Sequence, residues 1–253
     1  MSEYKADPAV KDAFTGIIEE IYAKQFGQIA KAAELAAQKI AAGGAFFVYD
    51  RGHVIGHELL CRSGGPVFVR YFDYRTPDAV MRAPECQTAD FRKRGDPAEQ
   101  AEFDRKYAKH FMVQNGFRAG DVLLMNSVSG RAQVANDIAE SAKELGVTII
   151  AITSLDTISK VKKGLKPYIE YADVVIDNCV KYGDSLFDVE GIDERIIPPS
   201  GIAAAYIGWT MIKAICENLV KLGKSPSVFR SCNIEGGEEQ NKACLERYKQ
   251  LGY

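Results

Sequence analysis

Between Asp121 and Asp177 the chain alternates apolar runs with amphipathic stretches. Asp121–Asn126 (DVLLMN) predicts a strand, Arg131–Leu145 a helix, Val147–Thr153 a strand, Ser159–Gly164 a short helix and Val174–Asp177 another strand. Strands this apolar are buried on both faces, and strand–helix–strand succession implies right-handed crossovers and a parallel sheet covered on both sides. Such a sheet gathers its ligands at the carboxyl ends of its strands, so polar residues there are the first place to look for chemistry.

The flanking segments fit around that core. From Pro8 to about Ala42 apolar residues such as Phe14, Ile17, Ile21, Ile29 and Ala36 recur at helical spacing, predicting one long helix or two broken near Gly27, stopped by Gly43-Gly44. Ala45–Tyr49 (AFFVY) reads as the first strand, followed by a tight turn and a helix to about Cys61. Pro66–Arg70 reads as a second strand, and Pro97 to about Gly116 as a polar helix. Residues 71–96, with Pro77, Pro84 and Gly95 among clustered charges, have no sustained period and read as an excursion. Ser185–Ile197 alternates by two, as in a small β excursion. Pro199–Leu222 predicts a long apolar helix and Glu238–Leu251 a terminal polar one. With no repeat or linker in evidence, the expectation is one domain over 1–253, with an N-terminal helical extension (1–44), an α/β core (45–223) and a C-terminal helical tail (224–253).

Composition removes several classes of function. With 32 Lys+Arg against 34 Asp+Glu, the chain has a net charge of −2 and no long basic run, which argues against nucleic acid as a partner. Its N-terminus, MSEYKADPAV, has no apolar core of a signal peptide, and the longest apolar window, Gly201–Ile212, stops well short of the ~20 residues that span a bilayer. The expectation is a cytoplasmic protein with no membrane partner. The six cysteines form no C-x-x-C pair, which reads as reduced, buried thiols.

Two stretches carry candidate chemistry. In Asn126-Ser127-Val128-Ser129-Gly130-Arg131 a strand gives way to a helix, so hydroxyls, freed backbone N–H groups, the positive end of a helix dipole and a guanidinium converge. That suits a phosphate, sulfonate or carboxylate; an ordinary serine cap of a surface helix suits it as well. No G-x-x-x-x-G-K-[ST], G-x-G-x-x-G or G-x-S-x-G occurs, which disfavours nucleotide enzymes and serine hydrolases. The second stretch, Asp50-Arg51-Gly52-His53-Val54-Ile55-Gly56-His57-Glu58, places two of the three histidines beside a carboxylate at the end of the first strand. Acid–base work fits it, and so do histidines merely satisfied by backbone carbonyls. On a helix His53 and His57 share a face, but the pattern is not H-E-x-x-H and no third ligand is identifiable, so no metal is assigned. His110 reads as a surface residue. Thr153-Ser154 and Pro198-Pro199-Ser200-Gly201 could add hydroxyls to the same pocket or serve as helix caps.

Taken in order, these motifs resemble the SIS (sugar isomerase) domain, whose S-x-S-G signature is matched by Ser127-Val128-Ser129-Gly130. The chain is similar to a largely uncharacterised subgroup of stand-alone SIS proteins related to phosphoheptose isomerase. The likeness runs from about residue 45 to the end, through Gly52-His53, Glu58-Leu59, Arg62-Ser63-Gly64-Gly65, Gly120-Asp121-Val122, Ile152-Thr153-Ser154-Leu155, Ala172–Asn178, Tyr182-Gly183-Asp184, Ser231–Gly237 and Asn241-Lys242. The resemblance implies a three-layer α/β/α sandwich around a five-stranded parallel sheet, with helical extensions that pair subunits. It also implies a homodimer or homotetramer with sites near subunit interfaces. The chain departs from the pattern in its turn, Asp50-Arg51-Gly52 where glycines are usual, in Val54 where the subgroup has Ser, and in Ala132 where Asn, Thr or Ser follows.

The function implied is aldose–ketose isomerisation of a sugar or sugar phosphate through an enediol(ate), without a cofactor. A sulfonated, carboxylated or neutral sugar would suit the same lining. Glu58 is the expected base, since a glutamate after the first strand does proton chemistry in phosphoheptose isomerase; His53 or His57 would shuttle protons. Arg51, Gly52, Ser127, Ser129, Gly130, Arg131, Thr153, Ser154 and Ser200 are the expected binding residues. A lyase, deglycase or etherase of the same fold and a non-catalytic sugar-phosphate regulator are the alternatives.

Overall fold

A computed structural model describes residues 7–51, 55–74, 96–161 and 166–253. Helix α1 (Pro8–Ala41) starts where Asp7 accepts a hydrogen bond from the Ala9 amide at 2.9 Å, with Pro8 in its first turn. It runs unbroken through Gly27 because its buried face of Ile29, Ala32, Ala33, Ala36 and Ile40 packs continuously on the rest of the molecule. After the left-handed Gly43 the chain enters β1 (Phe46–Asp50), then the single-turn helix α2 (Ile55–Glu58) and β2 (Val69–Tyr71). Next come α3 (Pro97–Gln114), β3 (Val122–Asn126), α4 (Gln133–Glu144), β4 (Thr148–Thr153), α5 (Leu155–Lys160), a 3-10 turn at Tyr168–Tyr171 and β5 (Val174–Asp177). A hairpin of β6 (Phe187–Val189) and β7 (Ile192–Ile196) precedes α6 (Ser200–Lys221) and α7 (Gly237–Leu251).

The five strands β2-β1-β3-β4-β5 pair in parallel in that order. β3 and β4 are buried at every position, as strands sandwiched between helices must be. One face packs on α1 and α6, through residues such as Phe46, Val48, Leu124, Ile150, Ile207 and Met211. The other packs on α3, α4 and the 3-10 turn, through Leu123, Met125, Ile149, Met112, Ile138 and Tyr168. This is the expected three-layer α/β/α sandwich. Buried Asp121 ties its layers: one carboxylate oxygen accepts from the Ala45 amide at 2.8 Å, the other from the Arg118 amide at 2.9 Å.

Several boundaries differ from the sequence reading. The expected helix at Ser159–Gly164 is α5, four residues earlier, because Ser154 caps it by accepting from the Thr157 amide at 3.0 Å. α4 begins at Gln133, so Arg131 precedes the helix. α2 ends at Glu58, short of the left-handed Cys61. Pro66 stands outside β2 and bridges Val228 antiparallel. Cys61 and Cys232 are exposed, against the expectation of buried thiols, while Cys179 and Cys244 are buried. Most of the 71–96 excursion lies outside the described residues. No helix among the described residues is long and apolar enough to cross a membrane.

Candidate functional site

In the order β2-β1-β3-β4-β5 the chain leaves β1 in one direction for β2 and returns on its other side for β3. The carboxyl ends of β1 and β3 therefore flank the switch point where such sheets open a crevice. A cavity of about 600 Å³ lies there, lined by Arg51 after β1, by Asn126, Ser127, Val128 and Ser129 after β3, by Ala132 ahead of α4, and by Asp184, Pro198, Ser200 and Gly201 at the start of α6.

The β3–α4 turn is fastened from behind. Thr153 donates its hydroxyl to the carbonyls of Ser127 and Val128 at 2.8 and 3.0 Å, and the Ser154 amide donates to the Val128 carbonyl at 3.1 Å. Gly130 takes a left-handed φ of 62°, donates to the Ser127 hydroxyl at 3.3 Å and accepts from the Tyr168 amide at 2.8 Å. Here glycine is required twice, by the dihedral and because a Cβ would stand 2.9 Å from the Tyr168 ring. Tyr168 is fully buried, its hydroxyl donating toward the carbonyls of Met125 and Ile152, and burial pushes its phenol far up. At the head of α4, Ala132 supplies no capping side chain; its carbonyl accepts from the Ala135 and Asn136 amides at 3.0 and 3.2 Å, which leaves the Gln133 and Val134 amides for an anion from solvent.

Across the cavity α6 starts differently. Asp184, left-handed at φ 47°, accepts from the Ser200 amide at 3.1 Å and from its hydroxyl at 2.6 Å. On the floor, the last residues of β1 and β3 are register partners, and the Asn126 amide donates to Asp50 at 2.8 Å. The other Asp50 oxygen accepts from the Gly56 amide at 3.1 Å.

The sequence-derived residues thus divide. Arg51, Ser127, Ser129 and Ser200 line the cavity. Gly130, Thr153 and Ser154 shape the turn; the Ser154 hydroxyl is committed to the Val180 carbonyl at 2.6 Å. Arg131 is half-buried and donates to the Ile158 carbonyl at 3.2 Å, bracing α5. Glu58 is outside the lining: it accepts from the Trp209 indole at 3.2 Å and pairs with Arg62 at 3.3 Å. His57 is exposed, its ring 5.9 Å from that of Tyr71. His110 is exposed, and Gly52 and His53 lie outside the described residues. Among the described residues no cluster of three His, Cys, Asp or Glu could hold a metal. Asp184 and Asn126 line the cavity although neither was among the expected binding residues; Asn126 opened the candidate stretch, and Asp184 stood in the Tyr182-Gly183-Asp184 motif.

A doubly wound sheet with a polar-lined cavity at its switch point defines a class of small-molecule-binding α/β proteins. Within that class the SIS domain model matches residues 11–154, and the chain belongs to the SIS domain family. It is 32% identical over 241 residues to a UPF0309 protein of Caldanaerobacter subterraneus, covering 92% of this chain and 93% of that one. A UPF0309 protein of Oceanobacillus iheyensis is 28% identical over 250 residues, covering 95% of this chain and 96% of that one. Among solved structures, a phosphoheptose isomerase from Neisseria gonorrhoeae matches 82% of this chain and 96% of its own at 17% identity, with a TM-score of 0.49. Membership in the SIS family supports a role connected with sugar phosphates.

Proposed function

We propose that this chain is a sugar-phosphate aldose–ketose isomerase working through an enediol(ate) by acid–base catalysis. The observation that carries the reading is the switch-point cavity, in which the serine turn and the uncapped start of α4 face Arg51 on one side and Ser200 on the other. In this reading the phosphate sits on Ser127, Ser129 and the Gln133 and Val134 amides, with Gly130 shaping the turn through its own backbone bonds and Arg51 as a second clamp. The sugar hydroxyls extend toward α6. A base takes the proton next to the carbonyl and returns it to the neighbouring carbon; Glu58 is assigned that step and His53 or His57 the movement of protons between oxygens. The exposed Tyr22 and Phe26 on α1 support pairing of subunits through that helix, as a homodimer or homotetramer.

The test is exchange of solvent deuterium into carbon-bound positions of aldose and ketose phosphates, which an enediolate route requires. Glu58→Gln abolishes exchange by at least ~100-fold and leaves sugar-phosphate affinity unchanged. Retained exchange in this variant removes Glu58 from the mechanism. A second reading, a non-catalytic sugar-phosphate regulator, is favoured by one observation: Glu58 is engaged by Trp209 and Arg62 away from the cavity lining. Saturable binding with no exchange in the wild-type protein establishes that reading instead.

A further inference from the structure

We propose that Asp184 restricts the cavity to ligands bearing a single anionic group, whose opposite end offers hydroxyl or amine donors. The inference rests on the sugar-phosphate reading and narrows its substrate class to monophosphorylated sugars. Two helices begin at the cavity wall, and each N-terminus attracts negative charge. At α4 the place is open, since Ala132 brings no capping group. At α6 the protein's own carboxylate takes the first amide, with both Asp184 oxygens on Ser200 at 3.1 and 2.6 Å, and sets a negative charge there. The backbone at Asp184 holds a left-handed φ of 47°, a conformation that Asp and Asn adopt more readily than other residues with a Cβ.

This arrangement also sets the polarity of the α6 wall. A carboxylate only accepts hydrogen bonds, so the Ser200 hydroxyl gives its proton to Asp184 and presents lone pairs elsewhere. On the floor between the walls, Asn126 leaves a further acceptor unmet. Its amide nitrogen is fixed on Asp50 at 2.8 Å, and its Oδ1, on a side chain only 6% exposed, has no partner among the described residues. One wall is therefore rich in acceptors and negative, while the other, with Arg51, the serine turn and the α4 amides, is rich in donors and positive. A second phosphate or a carboxylate beside Asp184 would meet like charge, whereas a hydroxyl would find acceptors.

The experiment is calorimetric titration of the full chain with inorganic phosphate, then with a hexose 6-phosphate and the matching 1,6-bisphosphate. Wild type is expected to bind one phosphate per chain and to prefer the monophosphate. Asp184→Asn binds two and gains about tenfold in affinity for the bisphosphate relative to the monophosphate. Asparagine tolerates the left-handed conformation and keeps an oxygen for the Ser200 amide, so the variant is expected to melt within a few degrees of wild type. Ser200→Ala keeps the carboxylate and stays at one phosphate. Two phosphates on wild type or on Ser200→Ala, or one on Asp184→Asn, overturn the inference. No phosphate on wild type at millimolar concentration removes the sugar-phosphate reading itself, an outcome distinct from the others.

Discussion

The strands on either side of the switch point end level with each other, Asp50 opposite Asn126, yet the segments that leave them are held in opposite ways. The β3–α4 turn is pinned from behind by Thr153, Ser154 and Tyr168, which leaves Ser127 and Ser129 facing the cavity. The β1–α2 segment is drawn toward α6. Leu59 is fully buried against Gly208, where a Cβ would stand 2.8 Å from its side chain, and Glu58 hangs on Trp209 and Arg62. The anion seat is thus built by the sheet and its neighbours, and the carboxylate assigned to proton transfer is placed by a helix. Because the two sets of contacts share no residue, each can be broken without the other.

The largest expected effect comes from filling Gly130. Gly130→Val forces a β-branched residue into a left-handed dihedral and against the Tyr168 ring. The left-handed conformation costs roughly 1–2 kcal/mol and overpacking roughly 1–3 more, so urea unfolding is expected to show a loss of about 2–5 kcal/mol. Phosphate binding goes with it. Trp209 is the single tryptophan of the chain, so its emission reports the α2–α6 contact directly. In the folded variant that emission stays at the wild-type wavelength; a shift would show that the two regions are coupled after all.

Asp137, one turn into α4 from Gln133, gives a pH handle on the same side of the comparison. Burial pushes its carboxyl up to about 6 from a reference of 3.8, opposed by a hydrogen bond from Gln133 at 2.7 Å and assisted by the charges of Asp104 and Glu140. A carboxyl raised in the folded state binds its proton there while the unfolded chain has already released it. Its contribution is therefore fully present below about pH 4 and is lost as pH rises through about 6. Asp137→Asn is expected to remove that loss, giving about 2–3 kcal/mol more stability than wild type at pH 7 and no gain at pH 4. Urea midpoints across that range measure it; a constant difference between the two proteins would show that Asp137 does not titrate there.

How legible each region was in the sequence follows from what fixes it. β3, β4 and β5 are short apolar runs with no competing pattern, and their positions and parallel pairing agree with the reading made from periodicity alone. The serine turn was legible because its residues act within a few positions of one another. α5 was placed four residues late although Ser154 also read as a helix cap, and that cap is what sets the helix start. Asp184 was passed over because its partner, Ser200, is sixteen residues away across a hairpin. Glu58 shows the limit most clearly. Its place after β1 was plain, but the partner that anchors it, Trp209, is 151 residues downstream, and no local pattern announces such a contact.

That contact yields the smallest and most discriminating prediction. Trp209→Phe keeps a ring against the buried cluster of that face but deletes the indole N–H that Glu58 accepts at 3.2 Å. The Glu58 side chain is 30% exposed and keeps Arg62, so water replaces much of what is lost and the stability change is about 1 kcal/mol or less. Phosphate affinity at the serine turn is expected to match wild type, since the hydrogen bonds that hold that turn come from Thr153, Ser154 and Tyr168. Deuterium exchange into the sugar is expected to slow with KM unchanged, because a carboxylate freed from one of its two anchors spends less time in its working orientation. Trp209→His, which retains a ring N–H donor, recovers part of the rate, a readout that a merely structural role for the tryptophan would not move. If phosphate affinity falls in Trp209→Phe, then α6 shapes the anion seat as well as the carboxylate, and the separation between the two sides of the switch point does not hold.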